Sequence, residues 1–269
     1  MTSDLLLDST GVPTPRSITP MTVAPTLHTA KRALRTKVKG ILKTLPADSI
    51  RAQSDTILRT VLNLPEYKNA RSLSIYLSMP KGEVTTGALV TASLEAGKQV
   101  FVPYIHRQPP SHPIASSASL AASASAPPSL MDMLSLSSLS DFQGFQPDSW
   151  GIPTIPEDGR SERQDGLKAG LDLIIMPGVA FSEEFKRCGH GKGFYDYFLT
   201  RYNQARQAEE VKEEEASGVE TSQVRQRKMP VLVALALKEQ MVEEVPTDLS
   251  DWYMDVVVTG DGRCLRREA

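Results

Sequence analysis

The alternation of helical and strand-like segments along this chain predicts an α/β protein. We expect a mostly parallel sheet with helices on both faces, in a Rossmann-like three-layer domain. The continuous apolar run at 231–237 is typical of a strand that is buried on both faces, and the mainly apolar segments 171–176 and 256–259 are predicted strands beside it. Segments with apolar residues at helical spacing, such as 27–45 and 48–64, lie between or before the strands and provide the covering layers.

Each predicted element depends on a local pattern. The first helix has Thr26 or Thr29 as a possible N-cap, and the second ends before Pro65. The further predicted elements are, in chain order, a strand at 72–77, a helix ending at Gly97, a strand at 100–104, regular structure near 131–134, an irregular crossing segment at 150–156, a strand at 171–176, a helix at 194–202, a strand at 231–237, a short helix at 238–245 and a strand at 256–259.

Composition predicts one folded domain with a tail and two insertions. Residues 1–26 are rich in Ser, Thr and Pro and are expected to form a disordered tail, followed by a single domain at 27–269. A Pro/Ser/Ala tract at about 106–130 is expected to be a low-complexity insertion. A second insertion, at about 204–228, is dense in charge and predicts a solvated helical extension or loop.

Charge and cysteine content exclude several classes of protein. The formal net charge of −2 gives no general attraction to nucleic acid, and the two cysteines form neither a disulfide framework nor a zinc motif. The longest apolar run, 231–237, is far shorter than the roughly 20 residues that cross a bilayer. We therefore expect a soluble cytoplasmic protein with no nucleic-acid or membrane partner, and the N-terminal segment leaves a mitochondrial pool open.

A glycine-rich turn is the most informative local feature of the chain. Gly189, Gly191 and Gly193 alternate with His190 and Lys192, so several backbone N–H groups can approach an anion beside two donor side chains. The spacing matches neither the Walker pattern nor the dinucleotide fingerprint, so a tight surface turn is the alternative interpretation. Taken with its context, the turn predicts a phosphate-binding loop.

The context of this turn is a buried strand before it and a helix after it. Ligands of parallel sheets sit at the carboxyl ends of the strands, so the loops that follow Leu77 and Met176 are expected to face one pocket. Asp196 follows the glycines within one helical turn, where a carboxylate can hold Mg²⁺ for a nucleotide. Lys31 and Arg35 share one face of the first helix.

Taken together and in order, these segments resemble the 5-formyltetrahydrofolate cyclo-ligase family, also called methenyltetrahydrofolate synthetases. The resemblance covers about residues 30–259, with two insertions. The matching segments are 31–35 (Lys-Arg-Ala-Leu-Arg), 74–79 with Glu83, 131–133 (Met-Asp-Met), 150–153 (Trp-Gly-Ile-Pro), 171–196, 235–240 and 254–255 (Met-Asp). The resemblance implies the ATP- and Mg²⁺-dependent conversion of 5-formyltetrahydrofolate into 5,10-methenyltetrahydrofolate, with phosphorylation of the formyl oxygen and ring closure by nitrogen 10. It names 5-formyltetrahydrofolate and ATP as the small-molecule partners, and we expect a monomer.

The resemblance also implies the site residues. Catalytic roles fall to Lys192, Arg187 and His190. The ATP site comprises Lys31, Arg35, Arg187, Gly189, His190, Gly191, Lys192, Gly193, Phe194 and Tyr195. The substrate site comprises Leu77, Met79, Glu83, Met133, Trp150, His190, Gly191, Lys192, Gly193, Phe194 and Tyr195, with Glu83 as acceptor for the pterin ring. Asp196 and Asp255 are the expected Mg²⁺ ligands.

Two positions depart from the family's pattern. His190 stands where the family commonly carries arginine, which predicts weaker or pH-dependent phosphate binding. Phe194 replaces a common tyrosine, so a hydroxyl is lost and the ring is kept. These departures leave open a folate- or nucleotide-binding module that has lost turnover. A related scaffold that phosphorylates another small molecule is the third hypothesis, against which Glu83 and Trp150 argue.

Overall fold

The computed structural model describes residues 26–107, 129–217 and 229–268. The helices within these ranges are α1 (Leu27–Thr44), α2 (Ala47–Asn63), α3 (Pro65–Asn69), α4 (Gly87–Glu95), α5 (Leu139–Gln143), α6 (Gly166–Ala169) and α7 (Phe194–Ser217). The strands are β1 (Ser72–Ser74), β2 (Gln99–Arg107), β3 (Ser129–Ser135), β4 (Gln146–Pro147), β5 (Pro153–Thr154), β6 (Leu173–Met176), β7 (Ala180–Phe181), β8 (Arg187–Cys188), β9 (Val231–Ala236), β10 (Val256–Thr259) and β11 (Cys264–Arg266).

Seven strands form one sheet in the order β11-β10-β9-β6-β1-β2-β3. The five central strands pair in parallel, with Met176 opposite Ala234 and Ser74 opposite Phe101. The outer strands β3 and β11 add antiparallel edges. Two further pairs, β4 with β5 and β7 with β8, are small antiparallel ribbons. The predicted α/β class and its mostly parallel sheet are confirmed.

The central strands are buried on both faces because helices cover both. In β6, Leu173 and Ile175 pack into the core under α1, α2, α3 and α4, whereas Ile174 and Met176 pack into the core under α7. All four residues have no exposed surface. This explains why the strand reads as a continuous apolar run, since both of its faces must be apolar.

Several predicted boundaries differ from the structure. The predicted strand at 72–77 is a ladder only at β1, although Ile75 still donates its N–H to the carbonyl of Phe101. The predicted strand at 100–104 extends over the whole of β2, up to Arg107. The predicted helix at 194–202 continues through the charged segment to Ser217. Thr26 is the N-cap of α1, since its hydroxyl accepts the Thr29 N–H.

The predicted helix at 238–245 is wrong. Only a 3₁₀ turn forms at Lys238–Gln240, after which Met241 pairs with Phe181 and the chain stays extended. Gln240 accounts for the stop, because its side chain caps the N–H of Leu237 and donates to the carbonyl of Gly178 at 2.6 Å. This buried amide ties the turn to the loop after β6 instead of extending a helix.

The predicted tail, apart from Thr26, and residues 108–128 and 218–228 of the two predicted insertions lie outside the described residues. The division into a tail and a single domain with insertions stays a prediction. Within the described ranges, no helix is long and apolar enough to cross a membrane.

Candidate active site

The glycine loop lies at the carboxyl edge of the sheet, between the β7–β8 ribbon and the first turn of α7. Gly191 and Gly193 have φ of 96° and 70°, in the left-handed region that side chains rarely adopt. Gly191, Lys192 and Gly193 are exposed, and the first residues of α7 are partly exposed, so this part of the loop is open to solvent. The loop therefore has the position and the backbone geometry that an anion site requires.

Helix α1 packs against this loop through Arg35. The Nε of Arg35 donates to the carbonyl of Gly189 at 2.8 Å. A Cβ at Gly191 would lie 3.3 Å from the Arg35 Cζ, so the guanidinium group covers the glycine closely. The predicted association of α1 with the glycine loop is present for Arg35.

Lys31, one turn earlier in α1, forms an ion pair with Asp251, a residue that we did not predict at the site. Its Nζ contacts both carboxylate oxygens of Asp251, at 2.5 and 2.8 Å, and each side chain is only 14% exposed. Asp251 also accepts the N–H of Asp248, which fixes the loop before β10. The structure thus places a carboxylate beside one of the predicted phosphate contacts.

Asp255 lies at the opposite edge of the sheet, so the predicted pair of Asp196 and Asp255 is wrong. It precedes β10, where one carboxylate oxygen accepts the N–H of Leu232 and the other pairs with Arg267 at 2.6 Å. Leu232 is near the start of β9, whereas Asp196 follows the glycine loop at the carboxyl edge. The length of β10, roughly 13 Å, separates the two edges. Asp255 is a structural residue at the start of its strand.

Arg187 is an internal support of the loop and does not present its guanidinium group to solvent. Its side chain is 4% exposed, donates from Nη2 to Asp196 at 2.6 Å and lies over the ring of Tyr195. A Cβ at Gly189 would lie 2.7 Å from its Nη1, so only glycine fits there without movement. The prediction of Arg187 as a direct phosphate contact is therefore corrected to a positioning role through Asp196 and Gly189.

The loop after β1 meets the glycine loop at Glu83. One Glu83 oxygen accepts the N–H of Met79 at 2.8 Å, and the other lies 3.8 Å from the Nε2 of His190. Only 8% of the Glu83 side chain is exposed, compared with 33% for His190. The prediction that the two loops face one pocket agrees with this contact.

Two phenols lie near this carboxylate. Burial raises the pKa of Tyr76 well above its usual value of 10.0, and the charge of Glu83 raises it further. Burial also raises the pKa of Tyr195, with a further contribution from Glu83 and an opposing one from Arg187. Both side chains therefore stay protonated at physiological pH. The Tyr76 hydroxyl donates to the carbonyl of Val84, which holds the loop after β1 in place.

The predicted apolar walls divide into core residues and surface residues. Met133 has no exposed surface and packs under α7, so it is a core residue and not a wall. Leu77 is also buried, in the core under α1. Met79, Phe194 and Tyr195 are partly buried. The correction for Met133 follows from β3, which turns its side chain toward α7. Leu77 lies in the loop after β1 and is about as exposed as Glu83, so its role as a wall stays a prediction.

Trp150 is the exposed aromatic of the site. It is 64% exposed and lies in a turn that is fixed by Asp148, whose carboxylate accepts the N–H groups of Trp150 and Ile152. A Cβ at Gly151 would lie 2.7 Å from the side chain of Pro80, so this turn packs directly on the loop after β1. An indole at this position is available to a ligand that binds beside Glu83.

Lys192 is the cation of the glycine loop that stays accessible. It is exposed, and no salt bridge to it occurs within the part of the chain that the structure describes. The described residues also contain no cluster of three or more His, Cys, Asp or Glu side chains that could hold a metal. The side chains of the described residues therefore do not form a metal site by themselves.

These features define an α/β enzyme whose site lies at the carboxyl edge of a mainly parallel sheet and combines a glycine loop, a helix-borne arginine and a buried carboxylate. More specifically, the chain belongs to the 5-formyltetrahydrofolate cyclo-ligase family, whose model matches residues 27–221. The resemblance seen in the sequence is confirmed.

Relatives and solved structures agree with this assignment. The 5-formyltetrahydrofolate cyclo-ligase of Mus musculus is 31% identical over 238 residues, which cover 88% of this chain and 97% of the relative. The protein of that name from Saccharomyces cerevisiae is 31% identical over 234 residues, covering 86% and 96%. The NMR structure of Aquifex aeolicus 5,10-methenyltetrahydrofolate synthetase has a TM-score of 0.59 at 24% identity, covering 89% of this chain and 94% of that one, and shows a shared fold.

Proposed function

We propose that this protein converts 5-formyltetrahydrofolate into 5,10-methenyltetrahydrofolate, using ATP and Mg²⁺ and releasing ADP and phosphate. The observation that best supports this proposal is the meeting of three elements at one edge of the sheet. Arg35 of α1 contacts Gly189 at 2.8 Å, and His190 of the same loop lies 3.8 Å from Glu83 in the loop after β1. An anion-binding loop and a buried carboxylate thus lie side by side, as two reacting substrates would require.

The chemistry needs activation of an amide oxygen. The formyl oxygen attacks the γ-phosphorus of ATP, and ADP leaves. Nitrogen 10 of the folate then attacks the former formyl carbon and loses its proton, and the C–O bond breaks to release phosphate. Such a sequence depends on positioning and on neutralising charge at the transferring phosphoryl group more than on a protein nucleophile.

The residues of the glycine loop divide these tasks. Lys192 is exposed and unpaired among the described residues, so it is the cation that we assign to the transferring phosphoryl group. Gly191 and Gly193 are exposed residues, and we assign their N–H groups, together with the first turn of α7, as neutral donors to the phosphates. Arg35 holds the loop at Gly189 and keeps its charge beside Gly191.

Mg²⁺ fits this site as a partner of the nucleotide. A phosphate-bound Mg²⁺ takes one or two carboxylates and keeps waters, so a three-residue protein cluster is not needed. Asp196 is at the start of α7, and Asp251 lies against Lys31 of α1. We assign these two carboxylates to the ion and replace Asp255 by Asp251. When bound, the ion neutralises phosphate charge.

The folate side of the site depends on Glu83. Its carboxylate is fixed by Met79 and is largely buried, so it can accept paired N–H groups from a pterin without reorganising. Trp150, in the turn that packs on Pro80, is available to stack on the ligand. Arg187 is a positioning residue, because it donates to Asp196 and leaves room only for glycine at position 189.

The direct test is turnover by the purified protein. Methenyl product should accumulate only when 5-formyltetrahydrofolate, ATP and Mg²⁺ are all present. The second candidate is a folate- or nucleotide-binding module without turnover. It is favoured by the two departures in the glycine loop: His190, which lies 3.8 Å from Glu83 and is a weaker phosphate ligand than arginine, and Phe194, which lacks a hydroxyl. Binding of both ligands with no ADP release would select the module and reject the enzyme.

A location in the cytoplasm, a monomeric state and the absence of nucleic-acid and membrane partners stay predictions. Gel filtration with light scattering checks the monomer. Fractionation of cells with an antibody against the protein checks the location, and a mitochondrial signal would contradict a purely cytoplasmic one.

A further inference from the structure

A second cluster of charged side chains lies outside the residues assigned above, where β2 ends and β3 begins. The Nε2 of His106 lies 2.7 Å from Oδ2 of Asp132 in β3, and Arg201 of α7 donates from Nη2 to Oδ1 of Asp132 at 2.9 Å. Arg160, in the segment between β5 and α6, lies 3.1 Å from His106 and 3.6 Å from Asp132. We call these four residues the hairpin cluster.

The hairpin cluster has more positive than negative groups. Two guanidinium groups and one imidazole surround a single carboxylate. Burial opposes the charge of Asp132, but hydrogen bonds from Arg201 and His106 lower its pKa below 3.8, so it stays ionised. The exposed acids within three residues of Arg160 are Glu157, Asp158 and Glu162, and none of them makes a salt bridge to it in the described structure. The cluster therefore keeps a net positive charge at neutral pH.

Arg160 is the member that is free to bind a ligand. Its side chain is 41% exposed, compared with 24% for Arg201, 11% for His106 and 14% for Asp132. Its contact with His106 is weak, because an Nε2 that carries a proton for Asp132 cannot also accept one from Arg160. Its separation of 3.6 Å from Asp132 is longer than an optimal charged hydrogen bond.

Aromatic rings hold both guanidinium groups in place. Arg160 lies over Tyr104 at 5.5 Å from the ring centre, and Arg201 lies over Tyr197 at 5.9 Å. Arg201 also donates to the carbonyl of Met131 on the edge strand. Guanidinium groups that are stacked and fixed lose little entropy when they bind an anion.

The hairpin cluster flanks the candidate active site. The parallel ladder pairs Ser74, the last residue of β1, with Phe101 of β2. Since β2 continues to Arg107, Tyr104 and His106 lie beyond the carboxyl end of β1, at the edge where the loop to Glu83 begins. On the other side, α7 starts directly after the glycine loop and reaches Arg201 eight residues after Gly193, roughly 12 Å along the helix. A ligand held at Glu83 and the glycine loop can extend toward the cluster.

We propose that the hairpin cluster binds the carboxylates at the glutamate end of the folate substrate, with Arg160 as the main contact. This rests on the proposed function, because it requires a folate at Glu83. The p-aminobenzoyl group separates the pterin from the glutamate, so a folate is an elongated ligand with its negative charge at the far end. Two fixed guanidinium groups match such carboxylates. Nucleotide phosphates share this anionic chemistry and are distinguished in the test.

The test compares two substrates in three proteins. 5-Formyltetrahydrofolate and 5-formyltetrahydropteroate, which lacks the glutamate, are assayed with the natural protein, Arg160→Gln and Arg263→Gln. Arg263 is a matched control, since it is 43% exposed, lies in the β10–β11 turn on the other edge of the sheet and pairs with Asp261 and Glu183. Arg160→Gln should raise the KM for the full folate about fivefold to tenfold. It should leave the KM for the truncated substrate and for ATP within about twofold, and Arg263→Gln should change none of them.

The dependence on salt concentration provides a second test. The difference between natural protein and Arg160→Gln should shrink at about 1 M salt, because the cluster is partly exposed and screened. Equal effects of Arg160→Gln on both folates would overturn the proposal, and so would an effect on the KM for ATP alone, which would assign the cluster to the nucleotide.

Binding without turnover separates this proposal from the proposed function. Titration with p-aminobenzoylglutamate should show binding to the natural protein that Arg160→Gln weakens by a similar factor and Arg263→Gln does not. If neither folate is converted, the proposed function fails, and this titration alone decides the cluster. Equal binding by the three proteins, or no binding, would overturn the proposal even if turnover is normal.

Discussion

Gly189→Ala tests the assigned support of the glycine loop by Arg187. The added Cβ would lie 2.7 Å from the Nη1 of Arg187 and 3.6 Å from its Cζ. Arg187 is 5% exposed and packed over Tyr195, so its guanidinium group cannot swing into solvent to make room. We expect the substitution to break the 2.6 Å contact between Arg187 and Asp196.

The size of the effect follows from the burial of Arg187. Only Arg187 is buried, since the side chain of Asp196 is 28% exposed, and leaving this buried guanidinium group without its partner costs about 3 kcal/mol in the free energy of unfolding. For a chain of this size, this lowers Tm by about 5–10 °C. Because Asp196 belongs to the proposed nucleotide site, the KM for ATP should rise by at least about tenfold, whereas the KM for the folate should change little.

Two controls make the measurement specific. Gly40→Ala adds the same methyl group inside α1, where nothing lies within 4 Å, and should raise stability by up to about 1 kcal/mol. Arg187→Met removes the group that the methyl would strike, so adding Gly189→Ala to it should cost little more. Thermal unfolding of the natural protein, Gly189→Ala, Arg187→Met and the double variant gives a double-mutant cycle, and Gly40→Ala is measured beside them. A Gly189→Ala protein that melts like the natural one, or costs that simply add in the double variant, would refute this reasoning.

Three further predictions concern other parts of the molecule. Asp251→Asn should raise the Mg²⁺ concentration for half-maximal activity by about tenfold, and Asp255→Asn should leave it unchanged while lowering Tm, because Asp255 is at the far edge of the sheet. Glu83→Gln keeps an oxygen for the Met79 N–H but loses the charge, so the KM for the folate should rise about tenfold with the KM for ATP within about twofold. Asp141→Asn should cost about 2 kcal/mol at pH 7, because Asp141 accepts two 2.6 Å bonds from the buried Arg163.

The Asp141 prediction has a defined pH dependence. Its hydrogen bonds from Arg163 lower its pKa below the usual 3.8, against the opposing effect of burial. The unfolded chain therefore binds a proton more readily, and the contribution to stability is complete above about pH 3.8 and is lost as the pH falls toward the folded pKa. Denaturation curves from pH 7 to 3 should show the natural protein and Asp141→Asn converging at the acid end.

Clear outcomes would contradict each of these predictions. Equal Mg²⁺ requirements in Asp251→Asn and the natural protein would remove Asp251 from the ion site. A Glu83→Gln protein with natural folate kinetics would remove Glu83 from the pterin site. A stability difference for Asp141→Asn that stays constant down to pH 3 would show that its charge is not the source of the effect.

The sequence predicts most of the central sheet and the glycine loop because their signals are local. The apolar run of β6 must be buried on both faces, and the alternating glycines mark a special backbone wherever they occur. Helical spacing alone predicts that Lys31 and Arg35 share one face of α1, whereas the role of Arg35 in the ATP site is implied by the family resemblance.

The errors concern choices that only tertiary contacts decide. Asp251 and Asp255 are acidic residues four apart in one short segment, and no local pattern separates them. The contact with Lys31 places one at the candidate site, and pairing with the start of β9 places the other at the opposite edge. Met133 looks like a wall residue until the register of β2 and β3 turns it toward α7. The helical pattern at 238–245 likewise gives no sign of the side-chain cap by Gln240, which ends the helix there.

The most direct test of the central claim follows the formyl oxygen. Substrate that carries ¹⁸O in the formyl group is converted with ATP and Mg²⁺ in ordinary water, and the released phosphate is analysed by mass. We expect one ¹⁸O atom in each phosphate, with one ADP formed per methenyl product, because the formyl oxygen takes the γ-phosphoryl group. Unlabelled phosphate, or methenyl formation without ADP, would contradict phosphoryl transfer at this site.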